Sequence, residues 1–242
     1  MCGTCGCGDP HIIAVPVRDK ILAENDRTAQ HNRAHFTEQG VHVVNMMGSP
    51  GSGKTALLES TARALGQRRR LGALAGDLAT DYDARRLETA GVTARSISTG
   101  SICHLDAAMV HDALHAWPWH DLDHLFIENV GNLVCPAVYD LGQAHSVVVL
   151  SVTEGPEKPL KYPVVFRTAD VVVLTKIDLL PHLRGLTIEQ FEDSIGEVMP
   201  APIIMPVSTT QGDGLELWVR WLDRQLMHSY AALLDASTSQ TL

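Results

Sequence analysis

The octapeptide Gly48-Ser49-Pro50-Gly51-Ser52-Gly53-Lys54-Thr55 constrains this chain more than any other stretch. It fits G-x-x-x-x-G-K-[ST] and stands between an apolar run, Val41-His42-Val43-Val44-Asn45-Met46-Met47, and a helical pattern from Thr55 to Leu65. A strand, a glycine-rich turn and a helix in that order let backbone N–H groups converge on phosphate oxygens at a helix N-terminus. Lys54 is then expected to reach the β- and γ-phosphates, and the Thr55 hydroxyl to ligate Mg²⁺.

The rest of the chain repeats the alternation. Apolar runs recur at Leu71 to Ala75, His124 to Ile127, Ser146 to Val152, Asp170 to Leu174 and Ile203 to Val207. Helical stretches near Asp81 to Thr89, Asp106 to His115, Ile188 to Val198 and Leu215 to Met227 separate most of them. Short, nearly all-apolar strands alternating with helices imply an α/β fold, a mostly parallel sheet with helices on both faces. Ahead of it, Arg18 to about Glu38 reads as a moderately amphipathic helix closed by Gly40. The expected division is a Cys-rich segment and linker over 1–17, a nucleotide-binding domain over 18–228, and a tail over 229–242. Trp218 and Trp221, three apart in the last helix, read as core packing. His111 and His115, at i and i+4, read as surface or packing histidines.

With 19 basic and 28 acidic residues the net charge is −9, which speaks against a broad nucleic-acid-binding surface. The longest apolar runs are too short to span a bilayer, and no basic n-region with an apolar h-region opens the chain. The expected compartment is therefore reducing and cytoplasmic, where five cysteines, an odd number, point to metal or redox chemistry rather than a disulfide framework.

Two acids are expected at strand ends on the ligand-binding edge of the sheet. Asp77 follows Leu74-Ala75-Gly76, and Glu128 follows Leu125-Phe126-Ile127. Either can hold Mg²⁺ or orient an attacking water; either can also serve as a helix N-cap. Thr175-Lys176-Ile177-Asp178 stands where GTPases carry N-K-x-D. The Asp178 carboxylate can accept from guanine N1–H and the 2-amino group together, while Thr175 lacks the amide of the usual Asn. Ser208, after the last strand, falls in the next base-contact loop.

Cys2, Cys5 and Cys7 form C-x-x-C-G-C. With Met1 removed, the Cys2 amine and three thiolates make an S₃N set, and a tetragonal set including nitrogen suits nickel(II) better than zinc or copper(I). Cys103-His104 and Cys135 follow elements that line the phosphate edge. Three ligands fall short of four, so a site shared across a dimer would complete the set. Because Cys135 hangs from the loop after Glu128, metal and nucleotide could move the same segment.

Together, MCGTCGCG, GSPGSGKT, GDLATD, CHLDAAMVHDAL, FIENVGNLVCP, SVTEGPEKPLKYP and TKIDLLP resemble the hydrogenase nickel-incorporation GTPases of the HypB type, from Cys2 to about Leu226. The resemblance implies a SIMIBI-type G domain with a flexible N-terminal metal-binding extension. It implies a slow, switch-type GTPase that loads nickel into the large subunit of [NiFe]-hydrogenase. A nucleotide- or metal-dependent homodimer and a small zinc-containing nickel-binding accessory protein would be its partners, with no nucleic acid and no membrane. By position, Cys2, Cys5 and Cys7 would bind nickel, and Cys103, His104 and Cys135 zinc or nickel. Gly48 to Thr55, Thr175, Lys176, Asp178 and Ser208 would bind GTP, with Lys54, Asp77 and Glu128 catalytic and Thr55, Asp77 and Glu128 on Mg²⁺. Lys158 or Lys161 would reach the neighbour's nucleotide. Thr175 for Asn, and Thr209 for the usual Ala, depart from the pattern. The alternatives are a non-catalytic zinc or nickel carrier and a urease-type accessory GTPase.

Overall fold

The computed structural model describes residues 15–78, 80–115 and 117–239. Seven strands form one parallel sheet: β1 (His42–Met47), β2 (Leu71–Asp77), β3 (Thr93–Ser98), β4 (His124–Glu128), β5 (His145–Ser151), β6 (Val171–Thr175) and β7 (Ile204–Val207). Their spatial order is β3-β2-β4-β1-β5-β6-β7, so β1 sits at the centre with β4 and β5 on either side. The helices are α1 (Val15–Glu38), α2 (Lys54–Leu65), α3 (Tyr82–Thr89), α4 (Ala107–His115), the short α5 (Lys158–Lys161) and α6 (Pro163–Arg167), α7 (Ile188–Val198) and α8 (Leu215–Ser239). This is the α/β fold, a parallel sheet with helices on both faces, that the alternation of apolar runs and helices implies.

All six residues of β1 are buried, because a central strand is covered on both faces. Alternation divides them. Val44 and Met46 join Leu57, Leu58, Phe126, Trp218 and Trp221 under α2 and α8. Val43 packs with Leu125, Ile127, Phe36 and Val110 under α1 and α4. On the same side of the strand, Met47 meets Val148, Leu174, Phe166 and Phe191. The two tryptophans are core residues as expected: their rings stack at 5.3 Å, and Trp218 Nε1 donates to Thr61 Oγ1 at 2.9 Å.

Three expectations need correction. The strand β3 carries no apolar run; it is an edge strand, Thr93-Ala94-Arg95-Ser96-Ile97-Ser98, only partly buried along its length. The first helix begins at Val15, within the stretch expected as linker. The last helix does not stop near Met227 but continues to Ser239, through residues expected as a tail. Its extension has partners: Tyr230 OH donates to Asp123 Oδ1 at 2.8 Å, and Leu233 and Tyr230 close over Gly40. Gly40, at φ +67°, ends α1 in the left-handed region as its position predicts.

Candidate nucleotide and metal sites

Because every strand is parallel, β1, β2, β4, β5 and β6 deliver their C-terminal residues to one edge. The P-loop emerges there from β1. Gly48 has no room for a side chain: a Cβ would lie 2.4 Å from the Val149 carbonyl oxygen. Gly53 takes φ +100° immediately before α2, a conformation that L side chains rarely adopt. A cleft of about 530 Å³ opens beside the loop, lined among others by Lys54, Thr55, Asp77, Asp83, Arg86 and Glu128.

Lys54 is buried, and its Nζ donates to the carbonyls of Gly48 at 3.1 Å and Ser49 at 3.3 Å. Burial lowers its pKa, opposed by the charges of Glu128, Asp83 and Glu154. The Thr55 hydroxyl lies 2.7 Å from Glu128 Oε1 and 3.1 Å from Asp83 Oδ1. Burial pushes the Glu128 carboxyl up to about 7, against the pull of the Thr55 hydrogen bond and the Lys54 ammonium. Its second oxygen, Oε2, is buried without a hydrogen-bond partner among the described residues. A hydroxyl, two carboxylates and an unused carboxylate oxygen form a hard-oxygen donor set that suits Mg²⁺.

Asp77 lines the same cleft, but its carboxylate accepts from Leu78 N at 2.6 Å and from the Thr80 hydroxyl, folding back on its own loop. Asp83, in the first turn of α3, is the second acid at Thr55 and was missed. Two residues after a predicted helix start, it carried only the look of a first-turn acid. Arg86 also escaped notice; its guanidinium reaches the cleft wall but is held by Glu59 at 2.9 and 3.0 Å and by Asp83 at 3.5 Å.

At the base end, Thr175 is buried and its hydroxyl donates to the Ser52 carbonyl at 2.5 Å, so it braces the P-loop. Lys176, at φ +60°, donates to Gly51 O at 2.7 Å. Asp178 Oδ2 accepts from Thr210 Oγ1 at 3.1 Å, and Thr210 Oγ1 lies 3.0 Å from Ser208 Oγ. Hydrogen bonds from Ser208 and Thr210 hold the Asp178 carboxyl below the usual range. Thr210 thus joins the loop cluster that Ser208 alone had indicated.

Cys103, His104 and Cys135 come together, with their ligand atoms within 4.8 Å of one another. The two sulfurs are 2.8 Å apart, far longer than a disulfide. His104 is buried, stacks on Tyr139 at 3.9 Å, and leaves Nδ1 without a hydrogen-bond partner among the described residues. Burial lowers its pKa, which keeps the imidazole neutral and able to ligate. Cys2, Cys5 and Cys7 lie outside the described residues. Lys158 is paired with Glu154 at 3.4 Å and sits over the Tyr162 ring, whereas the more exposed Lys161 pairs with Glu157 at 3.1 Å.

Two asparagines connect the sites. Asn129, next to Glu128, accepts from the Leu105 backbone N–H at 3.1 Å, one residue from His104. Asn132 forms a bridge with Gly48 of the P-loop and donates to the Cys103 carbonyl at 3.2 Å. The nucleotide cleft and the thiol pair therefore share one short segment, 128–135.

The sequence profile of the family described as CobW/HypB/UreG, nucleotide-binding domain, matches residues 42–205. Hydrogenase maturation factor HypB of Azotobacter vinelandii is 47% identical over 224 residues, 93% of this chain and 74% of that protein. The crystal structure of hydrogenase maturation factor HypB from Archaeoglobus fulgidus is 40% identical, with a TM-score of 0.78 over 84% of this chain and 99% of that one. HypB from Helicobacter pylori in complex with nickel is 37% identical, with a TM-score of 0.80 over 86% and 97%.

Proposed function

The chain belongs to the HypB family of hydrogenase maturation factors, and from that premise we propose that it is a GTP-hydrolysing nickel metallochaperone. It would catalyse GTP + H₂O → GDP + phosphate and help load nickel into the large subunit of [NiFe]-hydrogenase. The P-loop N–H groups and Lys54 would hold the phosphates, with the Lys54 ammonium leaving its present carbonyl acceptors for the β- and γ-oxygens. Thr55, Glu128 and Asp83 would hold Mg²⁺, which when bound neutralises charge developing on the phosphates. Asp77, expected in that role, stands on the cleft wall where it can orient an approaching group. Asp178, with Ser208 and Thr210 fixing its loop, would select guanine. Since Glu59 and Asp83 occupy the Arg86 guanidinium, hydrolysis by the isolated chain would be slow.

The cargo would enter at Cys2, Cys5 and Cys7 and exchange with the site of Cys103, His104 and Cys135, which can take zinc or nickel. Exposed Val134, Val138 and Val164 line, together with Cys135 of that second site, a cleft of about 310 Å³. An apolar surface beside an incomplete ligand set favours a homodimer in which the neighbour completes the coordination. The small zinc-containing accessory protein and the hydrogenase large-subunit precursor would be the other partners, in the cytoplasm. Among the described residues no helix is long and apolar enough to cross a membrane.

The bridge of Asn132 to both Gly48 and Cys103 is the observation that carries the switch. Occupation of one site should change affinity at the other, by the same factor in both directions. The test is Ni²⁺ affinity of the reduced chain, by chelator competition, with Mg²⁺ and either GDP or a non-hydrolysable GTP analogue. A difference of about 5- to 150-fold is expected; equal affinities would defeat the coupling. Lys54→Ala should abolish maturation of hydrogenase while leaving Ni²⁺ uptake intact, whereas a pure carrier would still support maturation.

A further inference from the structure

The C-terminal half of α4 carries His111 and His115, and α1 lays His31 and His35 against them. Ring centroids are 4.2 Å apart for His31 and His35, 5.2 Å for His31 and His111, 6.5 Å for His35 and His111, and 4.4 Å for His111 and His115. A cleft of about 200 Å³ lies here, lined by Asn32, His35, His111, His115, Trp119 and His120 among others.

Asn32 settles the protonation of the innermost ring. It is buried, and its Nδ2 donates to the carbonyls of Ala107 at 2.9 Å and Leu141 at 3.2 Å. Flipping the amide would set its oxygen against two carbonyls, so Oδ1 must face His111 Nδ1, 3.1 Å away. That oxygen can only accept. His111 therefore carries its proton on Nδ1 and presents the lone pair of Nε2 outward. His115 Nε2 stands 2.8 Å from it. Imidazole nitrogens at about 2.0–2.1 Å from one ion lie roughly 3 Å from each other, close to this spacing. A ligating histidine whose other N–H is fixed by a buried acceptor is the usual second layer of a metal site. Burial and the neighbouring His115, His31 and His35 lower the His111 pKa, with only Asp112 opposing, which keeps the ring neutral.

We propose that His111 and His115, whose Nε2 atoms converge, begin an imidazole-only site for a borderline divalent transition-metal ion, separate from the thiolate sites, which the neighbouring rings of His31 and His35 complete by turning towards the ion. Imidazole donors suit Zn²⁺, Ni²⁺ and Cu²⁺, and a dication relieves the mutual repulsion that four clustered imidazoles feel when protonated. The sites differ in softness as well as place. The four rings offer no sulfur, and His111 and His115 stand on α4, whereas Cys103 and His104 precede that helix.

The experiment counts metal. A chain with Cys2, Cys5 and Cys7 changed to Ala and Cys103 and Cys135 to Ser is titrated with Zn²⁺ by calorimetry, then with Cu²⁺ by electron paramagnetic resonance. One equivalent of Zn²⁺ and a Cu²⁺ signal split by several imidazole nitrogens are expected. His31→Gln/His115→Gln, both on exposed rings, should weaken binding tenfold or more. The same pair introduced into the otherwise unaltered chain should lower its Zn²⁺ stoichiometry by one, which keeps the test independent of how well the cysteine-depleted chain folds. Unchanged Zn²⁺ stoichiometry in that pair, introduced into the otherwise unaltered chain, would overturn the site.

Discussion

Glu128 shows how a single side chain can report on the nucleotide site. It is the last residue of a central strand, so its carboxyl begins its life in the sheet interior rather than in water. Burial holds it near 7, which means that much of the free protein carries a proton there at neutral pH. The proposed Mg²⁺ site requires the carboxylate, so the proton would leave when metal and nucleotide bind. Affinity for Mg²⁺ and GDP should therefore rise by about tenfold per pH unit up to about 7 and then level off. Calorimetry at pH 6 in buffers of different ionisation enthalpy should detect close to one proton released. Glu128→Gln should bind more weakly and release none. The same residue was visible in the sequence as a strand-end acid, whereas Asp83 was not. Only the return of α3 over the P-loop brings Asp83 to Thr55, and no local pattern announces that distance.

At the scale of the elements, the strand ends opposite the nucleotide edge carry a second buried network. His42 of β1 meets His124 of β4 at 3.0 Å through both Nδ1 atoms, and His145 of β5 at 2.9 Å. Burial, with the charges of His124 and His145, drives the His42 pKa to about 2, and burial drives that of His124 to about 4. These folded values lie below the unfolded value of 6.5. The contribution to stability is therefore complete above 6.5 and is lost as pH falls from 6.5 towards 4, where only the unfolded chain takes up protons freely. Each unit of displacement corresponds to about 1.4 kcal/mol, so the fall spans several kcal/mol in order of magnitude. Melting temperature followed from pH 7 to 4 should drop steeply. His124→Gln, which keeps a hydrogen-bonding group at His42, should flatten the drop. In the sequence His42 and His124 break otherwise apolar strands and nothing distinguishes them; parallel register puts them side by side. The edge strand β3 was likewise silent, because a strand paired on one side needs no continuous apolar run.

For the whole molecule, the exposed apolar surface at Val134, Val138 and Val164 has its meaning beside Cys135. Val138→Asp/Val164→Asp should leave folding and GDP binding within a small factor of wild type, because both side chains reach solvent at the rim of the cleft. It should reduce the proposed nucleotide- or nickel-dependent dimer when sedimentation is followed, and with it any acceleration of GTP hydrolysis on dimerisation. Loss of dimer without loss of acceleration would place the catalytic assistance elsewhere.

Much of the architecture is written locally. A glycine-rich turn between an apolar run and a helix can close only one way, and a succession of short apolar strands and helices leads to a parallel sheet, because the connections must cross its faces. These periodicities are short-range, so the amino-acid order alone determined the P-loop, six of the seven strands, the Thr175 to Asp178 loop and the candidate ligands Cys103, His104 and Cys135. What brings distant residues together was decided only in three dimensions. The tertiary structure set Asp83 against Thr55, turned Thr175 inward to the P-loop, bridged Asn132 to Gly48, laid His31 and His35 over His111, and extended α8 to anchor Tyr230 on Asp123. Each of these contacts depends on the packing of helices on the sheet, and packing distances are not encoded in the spacing of residues along a chain.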